Sequence, residues 1–196
     1  MLTWLLKRQI GAFESKYDYD MSYVRHMLAV DPAAVWTFGK VQALKSYRKD
    51  VPRDAYMAVA LVGTLVADCG PCSQLMVSMA LEEGVLPETI AAVVSERYDA
   101  LSEEVRLASQ FARASLAHSP EADSLRERIV QLWGERALFS LAFALVTSQL
   151  FPTLKYALGY GKTCKALVVG DTALTMGKRE PEGGPLAQAA RVEAVT

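Results

Sequence analysis

Cys69 and Cys72, three positions apart in Asp68-Cys69-Gly70-Pro71-Cys72, are the residues of this chain best suited to chemistry. In the first turn of a helix, side chains at i and i+3 share a face with Cβ atoms roughly 5 to 6 Å apart, close enough for a disulfide. Pro71 suits such a turn because its missing N–H would be unpaired there anyway, and Gly70 lets the chain enter it. Unpaired backbone donors and the positive end of the helix dipole stabilise a thiolate at that position. A redox pair is therefore sterically possible, while the spacing by itself leaves the reaction open.

The other chemistry-bearing residues are fewer. Beyond the pair, only Cys164, His26 and His118 could add soft or imidazole ligands, at spacings that match no common zinc pattern, so no metal site is expected. His118 precedes Ser119-Pro120 at a helix end and reads as structural; His26 could meet the site only if the N-terminal helices cover it. Cys164, between Lys162 and Thr163 on one side and Lys165 on the other, reads as a buried small side chain or, if exposed, a stabilised thiolate. Met57, Met76 and Tyr56 are candidates to line an apolar pocket, against the commoner role of core filler.

These residues need a scaffold, and 196 residues with 52% hydrophobic and 22% charged side chains are enough to bury one domain's core. Twenty-one basic against 22 acidic residues give no global field that would recruit nucleic acid or an anionic membrane. The longest apolar runs, Ala55 to Ala67 and Ala137 to Leu150, fall short of the roughly 18 residues of a membrane span. Met1-Leu-Thr-Trp-Leu-Leu-Lys-Arg carries its charges after its apolar residues and lacks a small-residue cleavage site, so it does not read as a secretory signal. Three cysteines, two in C-x-x-C, suit a reducing compartment, and the expected location is the cytoplasm.

Helical periodicity runs through most of the chain. Leu2, Leu5, Leu6, Ile10 and Phe13 share one face, and Tyr17-Asp-Tyr-Asp20 reads as a break. Asp31-Pro32 opens a helix to about Tyr47; Val51-Pro52 opens a buried one through Ala67; Gly84 closes the helix that the cysteines begin. Leu86-Pro87, Ser102 and Ser119-Pro120 start three more, and Pro152 is expected to end the buried helix after Leu150, with a short helix following to Tyr160. With no convincing period-two alternation, the expected fold is all-α, a bundle of about eight helices. Residues 1–50 would supply N-terminal helices packed on the core or a neighbouring subunit, 51–165 the core, and 166–196 a tail.

The buried helix before the cysteines, the C-x-x-C, the Glu83-Gly-Val-Leu-Pro-Glu88 turn, Leu101-Ser102-Glu-Glu104 and Phe151-Pro152 through Leu158-Gly159 together resemble the carboxymuconolactone decarboxylase family, in its alkylhydroperoxidase AhpD-like branch. The likeness spans roughly residues 52 to 161. It implies an oligomeric all-α protein (dimer, trimer or hexamer) that reduces a small hydroperoxide or disulfide without a bound cofactor, recycled by a thiol donor protein. Cys72 would be the attacking thiol and Cys69 the resolving one, with Asp68 a candidate proton shuttle. The family's relay histidine and glutamate fall here on Met76 and Met57, which cannot accept a proton at working pH. A second expectation stays open beside the enzyme: a non-catalytic helical oligomer that binds a small molecule in the family's apolar pocket. Cys-Gly-Pro-Cys is similar to thioredoxin as well, but that fold needs a strand before the cysteines, where Ala55 to Ala67 is Ala-rich and helical.

Overall fold

The computed structural model describes residues 2–163 and 166–175. Cys164 and the chain after residue 175, for which expectations are given above, lie outside the described residues. The fold is all-α apart from one hairpin. In chain order the helices are α1 (Leu2–Tyr17), α2 (Ser22–Val30), α3 (Pro32–Gly39), α4 (Val41–Ser46), α5 (Arg53–Val66), α6 (Gly70–Glu82), α7 (Pro87–Val94), α8 (Glu103–Leu116), α9 (Glu121–Trp133) and α10 (Glu135–Ala157).

Helix α5 is the axis of the main core. Every residue from Ala55 to Leu65 is buried, so no face is left for water, and α8, α10, α6 and α7 surround it. Local signals set the helix ends: Asp31 accepts from the Ala33 amide at 2.8 Å, Ser102 accepts from Val105, and Gly84 leaves α6 with φ +82. A second cluster of Ile10, Tyr19, Tyr23, Val24 and Leu28 joins α1 and α2 to Leu75 of α6 and Leu154 of α10. The N-terminal helices thus roof one side of the α5, α6 and α10 layer.

Besides the helix that starts at Asp31-Pro32, which breaks at Lys40 into α3 and α4 instead of running on to Tyr47, two expectations are corrected. Pro152 does not end its helix: α10 continues to Ala157, and Pro152 itself is buried. Proline removes the amide donor that the Ser148 carbonyl would have received, and tertiary packing offsets the loss: the last turn buries Lys155 and places Leu154 against the second cluster. The apolar stretch is accordingly longer than Ala137 to Leu150. Among the described residues α10 alone is long and apolar enough to cross a membrane, though it is seated on α5, α9 and α4 and buries the hydroxyls of Ser140, Thr147 and Ser148.

The second correction concerns residues 166–175, assigned above to the tail. They form a hairpin, β1 (Ala166–Val169) paired antiparallel with β2 (Thr172–Thr175), turning at Gly170-Asp171 with Gly170 at φ +58. Leu167 and Val169 point into the main core while Ala166 and Val168 face out. The Gln74 side chain on α6 holds the strand, donating to the Val168 carbonyl at 3.0 Å and accepting from its amide at 2.8 Å. Helical-period reasoning passes over four-residue strands of this kind; Leu-Val-Val-Gly-Asp-Thr was the signal.

Candidate functional site

Helix α5 ends at Val66, and the chain must turn sharply to start α6. Asp68 makes the turn in the left-handed region at φ +49, which aspartate tolerates better than most residues. Cys69 then takes the N-cap position of α6 and Cys72 its first turn, with Cα atoms 5.3 Å apart and the sulfurs bonded as a disulfide. The segment after α10 clamps this turn: the Gly70 amide donates to the Lys162 carbonyl at 3.0 Å, and the Tyr156 hydroxyl to the Asp68 carbonyl at 2.9 Å.

The two sulfurs are not equivalent. Cys72 lines a cavity of about 930 Å³ between the roof of α1 to α4 and the layer below, whereas Cys69 is fully buried and does not reach that cavity's wall. Met57, Met76 and Tyr56 line it too, joined by Phe13, Ala60 and Met79. The walls are largely apolar, with charge near the rim: Lys45, Arg48, Glu82 and Glu83. Arg48 lies over the Tyr56 ring, 4.4 Å from its centroid, and pairs with Glu83 at 3.0 Å. Burial holds the Lys45 ammonium below its usual pKa and pushes the Tyr56 phenol above its own.

Asp68 is exposed and is not part of the cavity wall. Asp54 pairs with its neighbour Arg53 at 2.8 Å, and His26 is exposed, with Nδ1 3.2 Å from the Tyr160 hydroxyl. The polar group that does meet Cys72 is the Tyr19 hydroxyl, 3.7 Å from Sγ, at the hydrogen-bond limit for sulfur. Lys155 Nζ donates to that same hydroxyl oxygen at 3.4 Å and lies over the faces of Tyr19 and Tyr23, 4.5 and 5.4 Å from their centroids. Both tyrosines are buried, which raises their phenol pKa values, and burial lowers that of Lys155 while Asp20 pulls it back up.

Neither Tyr19 nor Lys155 stood out in the sequence. Tyr19 sits in the link between α1 and α2, where an aromatic and acidic run reads as a helix break and not as a site. Lys155 could have been found by spacing: Ala137, Leu141, Ala144, Ser148, Pro152 and Lys155 fall three or four apart, so the lysine lies on the buried stripe of α10. Among the described residues no three His, Cys, Asp or Glu side chains gather as a metal site. No family model, curated protein or solved structure matches this chain.

Proposed function

We propose that this protein is a thiol–disulfide oxidoreductase of the AhpD-like kind, with Cys72 as the attacking thiol and Cys69 as the resolving one. The observation that carries the reading is the asymmetry of the pair: a bonded disulfide at a helix N-terminus with one sulfur on the wall of an apolar cavity and the other shut away. In the reduced protein the Cys72 thiolate attacks the distal oxygen of a hydroperoxide; the S–O bond forms, the O–O bond breaks, and the leaving alkoxide takes a proton from water and departs as the alcohol. The Cys69 thiol then displaces water from the sulfenic acid and closes the disulfide. A dithiol donor returns two electrons and two protons, and a reducing cytoplasm would keep that cycle running. The exposed Trp4, Trp36, Phe139 and Val146 support assembly as a homo-oligomer.

The test is a thiol count by mass after alkylation, on reduced protein before and after one equivalent of an alkyl hydroperoxide. Loss of two thiols, with a bond mapped between Cys69 and Cys72, is expected; an unchanged count removes the proposal.

The volume and methionine lining of the cavity favour a second reading, a binding protein for a small apolar molecule. Filling the cavity discriminates. Ala60 is buried on α5 and lines the wall, so Ala60→Phe places a ring in the space a bulky substrate would use. On the enzyme reading, the rate of Cys72 oxidation by a bulky alkyl hydroperoxide falls about tenfold or more while that by hydrogen peroxide stays within about threefold. On the binding reading, neither peroxide oxidises the pair, and an apolar fluorescent probe binds a Cys69→Ser, Cys72→Ser double variant as tightly as wild type.

A further inference from the structure

Lys155 is 1% exposed, and no carboxylate lies within salt-bridge distance of it among the described residues. Asp20, whose charge acts on it, stays near the surface and faces Lys162 at 3.9 Å. A buried ammonium without an anion is costly to maintain, and cation–π contacts with Tyr19 and Tyr23 offset only part of that cost. The tyrosine that receives its hydrogen bond also touches Cys72. In the disulfide that sulfur is neutral. After reduction it can carry a negative charge.

We propose that Lys155 is the buried counter-ion of the Cys72 thiolate, with Tyr19 bridging them: its oxygen accepts from the ammonium and, once the sulfur is charged, its single O–H turns from the neighbouring Tyr23 hydroxyl to donate to sulfur. The proposal rests on the redox reading above and gives a positioning role to two residues unrelated to the Met57 and Met76 positions. A dithiol reduces the disulfide with two electrons and two protons; Cys72 then releases its proton to solvent and remains as thiolate, while Cys69 keeps its own as thiol. The charged and titratable groups around the pair are Tyr19 and Asp20 from the α1–α2 link, Tyr23 from α2, and Lys162 from the segment after α10. Through a partly desolvated path of this length a single charge shifts a thiol by about one to two pKa units. The reduced state is favoured accordingly, which makes the disulfide more oxidising.

The experiment uses the whole protein in wild type and the Lys155→Met, Lys155→Arg and Tyr19→Phe variants. Two quantities are read: the pH dependence of Cys72 alkylation, resolved by site with mass spectrometry, and the equilibrium of the Cys69–Cys72 disulfide with glutathione. Lys155→Met should raise the Cys72 pKa by about one unit or more, read directly from the alkylation profile, and at a pH above both pKa values shift the glutathione equilibrium about tenfold toward disulfide, about 30 mV for a two-electron couple. Lys155→Arg should restore most of both. Tyr19→Phe keeps the ring and loses the bridge, so it should give a smaller shift of the same sign and carries the test if Lys155→Met does not fold. A pair that cycles normally, with both quantities unchanged within twofold in Lys155→Met or in Tyr19→Phe, overturns the counter-ion role and leaves the redox reading standing. A wild-type pair that no thiol couple reduces or reoxidises overturns both.

Discussion

Cys72→Ser is expected to abolish hydroperoxide-dependent oxidation of the pair, with the rate falling at least about a thousandfold, while Cys69→Ser still reacts once and stops. The difference follows from where the sulfurs lie. Cys72 meets the cavity and the Tyr19 hydroxyl, so a peroxide in the cavity can align with it; Cys69, fully buried at the N-cap of α6, can react only with a neighbour already activated. Serine's hydroxyl ionises far too weakly at neutral pH to replace a thiolate as nucleophile, and among the described residues no imidazole or carboxylate is hydrogen-bonded to that position to activate it. In Cys69→Ser the sulfenic acid on Cys72 has no internal thiol to condense with and should accumulate. Stopped-flow oxidation with trapping of the sulfenic acid by a carbon nucleophile reads both variants. Equal rates in wild type and Cys72→Ser would show that the cavity-facing sulfur is not the nucleophile. Because the disulfide closes a loop of only a few residues, its removal constrains the unfolded chain little compared with long-range bridges, and both variants should remain folded.

How far the site can be read from sequence depends on whether its parts are local. The C-x-x-C pair, the proline in the first turn and the buried helix before it are consecutive, so spacing alone brings the cysteines within bonding distance. Met76 lies about one turn after Cys72 on α6, and Met57 and Tyr56 stand on α5, the helix that leads into the pair; all three share its cavity. Tyr19 and Lys155 are different, being 136 residues apart in the chain and meeting only because α2 and the end of α10 pack in one cluster. No propensity or cap encodes such a meeting. It also depends on α10 surviving Pro152, where a local rule predicts a break and tertiary packing overrides it. The hairpin was missed for the opposite reason: its signal is local but only four residues long, and it lies beyond the last strong helical pattern.

The second large effect is one of stability, at Gly63 in the middle of α5. A Cβ built there would lie 1.8 Å from Ser148 Oγ and 2.7 Å from Ser148 Cβ on α10, so the two helices touch at a point where only glycine fits. Rotating the serine hydroxyl, which donates to the Leu145 carbonyl at 2.7 Å, relieves the first contact but not the second. Gly63→Ala therefore forces α5 and α10 apart and also strains the bond from the Gln149 amide to the Gly63 carbonyl. Overpacking of this kind costs about 1 to 3 kcal/mol and more where backbone must move; the gain of about 1 kcal/mol from alanine's helix propensity offsets only part of it. A net loss of about 2 kcal/mol is expected in denaturant unfolding, and Ser148→Gly in the same chain should recover most of it, a coupling that a double-mutant cycle measures. An unchanged midpoint in Gly63→Ala would mean that this helix contact is looser than its geometry indicates. The same crossing bears on chemistry, since α5 leads directly into Cys69 while α10 carries Lys155 one turn beyond Phe151. Helices pushed apart at Gly63 lengthen the path from Cys72 through Tyr19 to the ammonium. The Cys72 pKa in Gly63→Ala should accordingly move upward, toward that of Lys155→Met, even in molecules that remain folded.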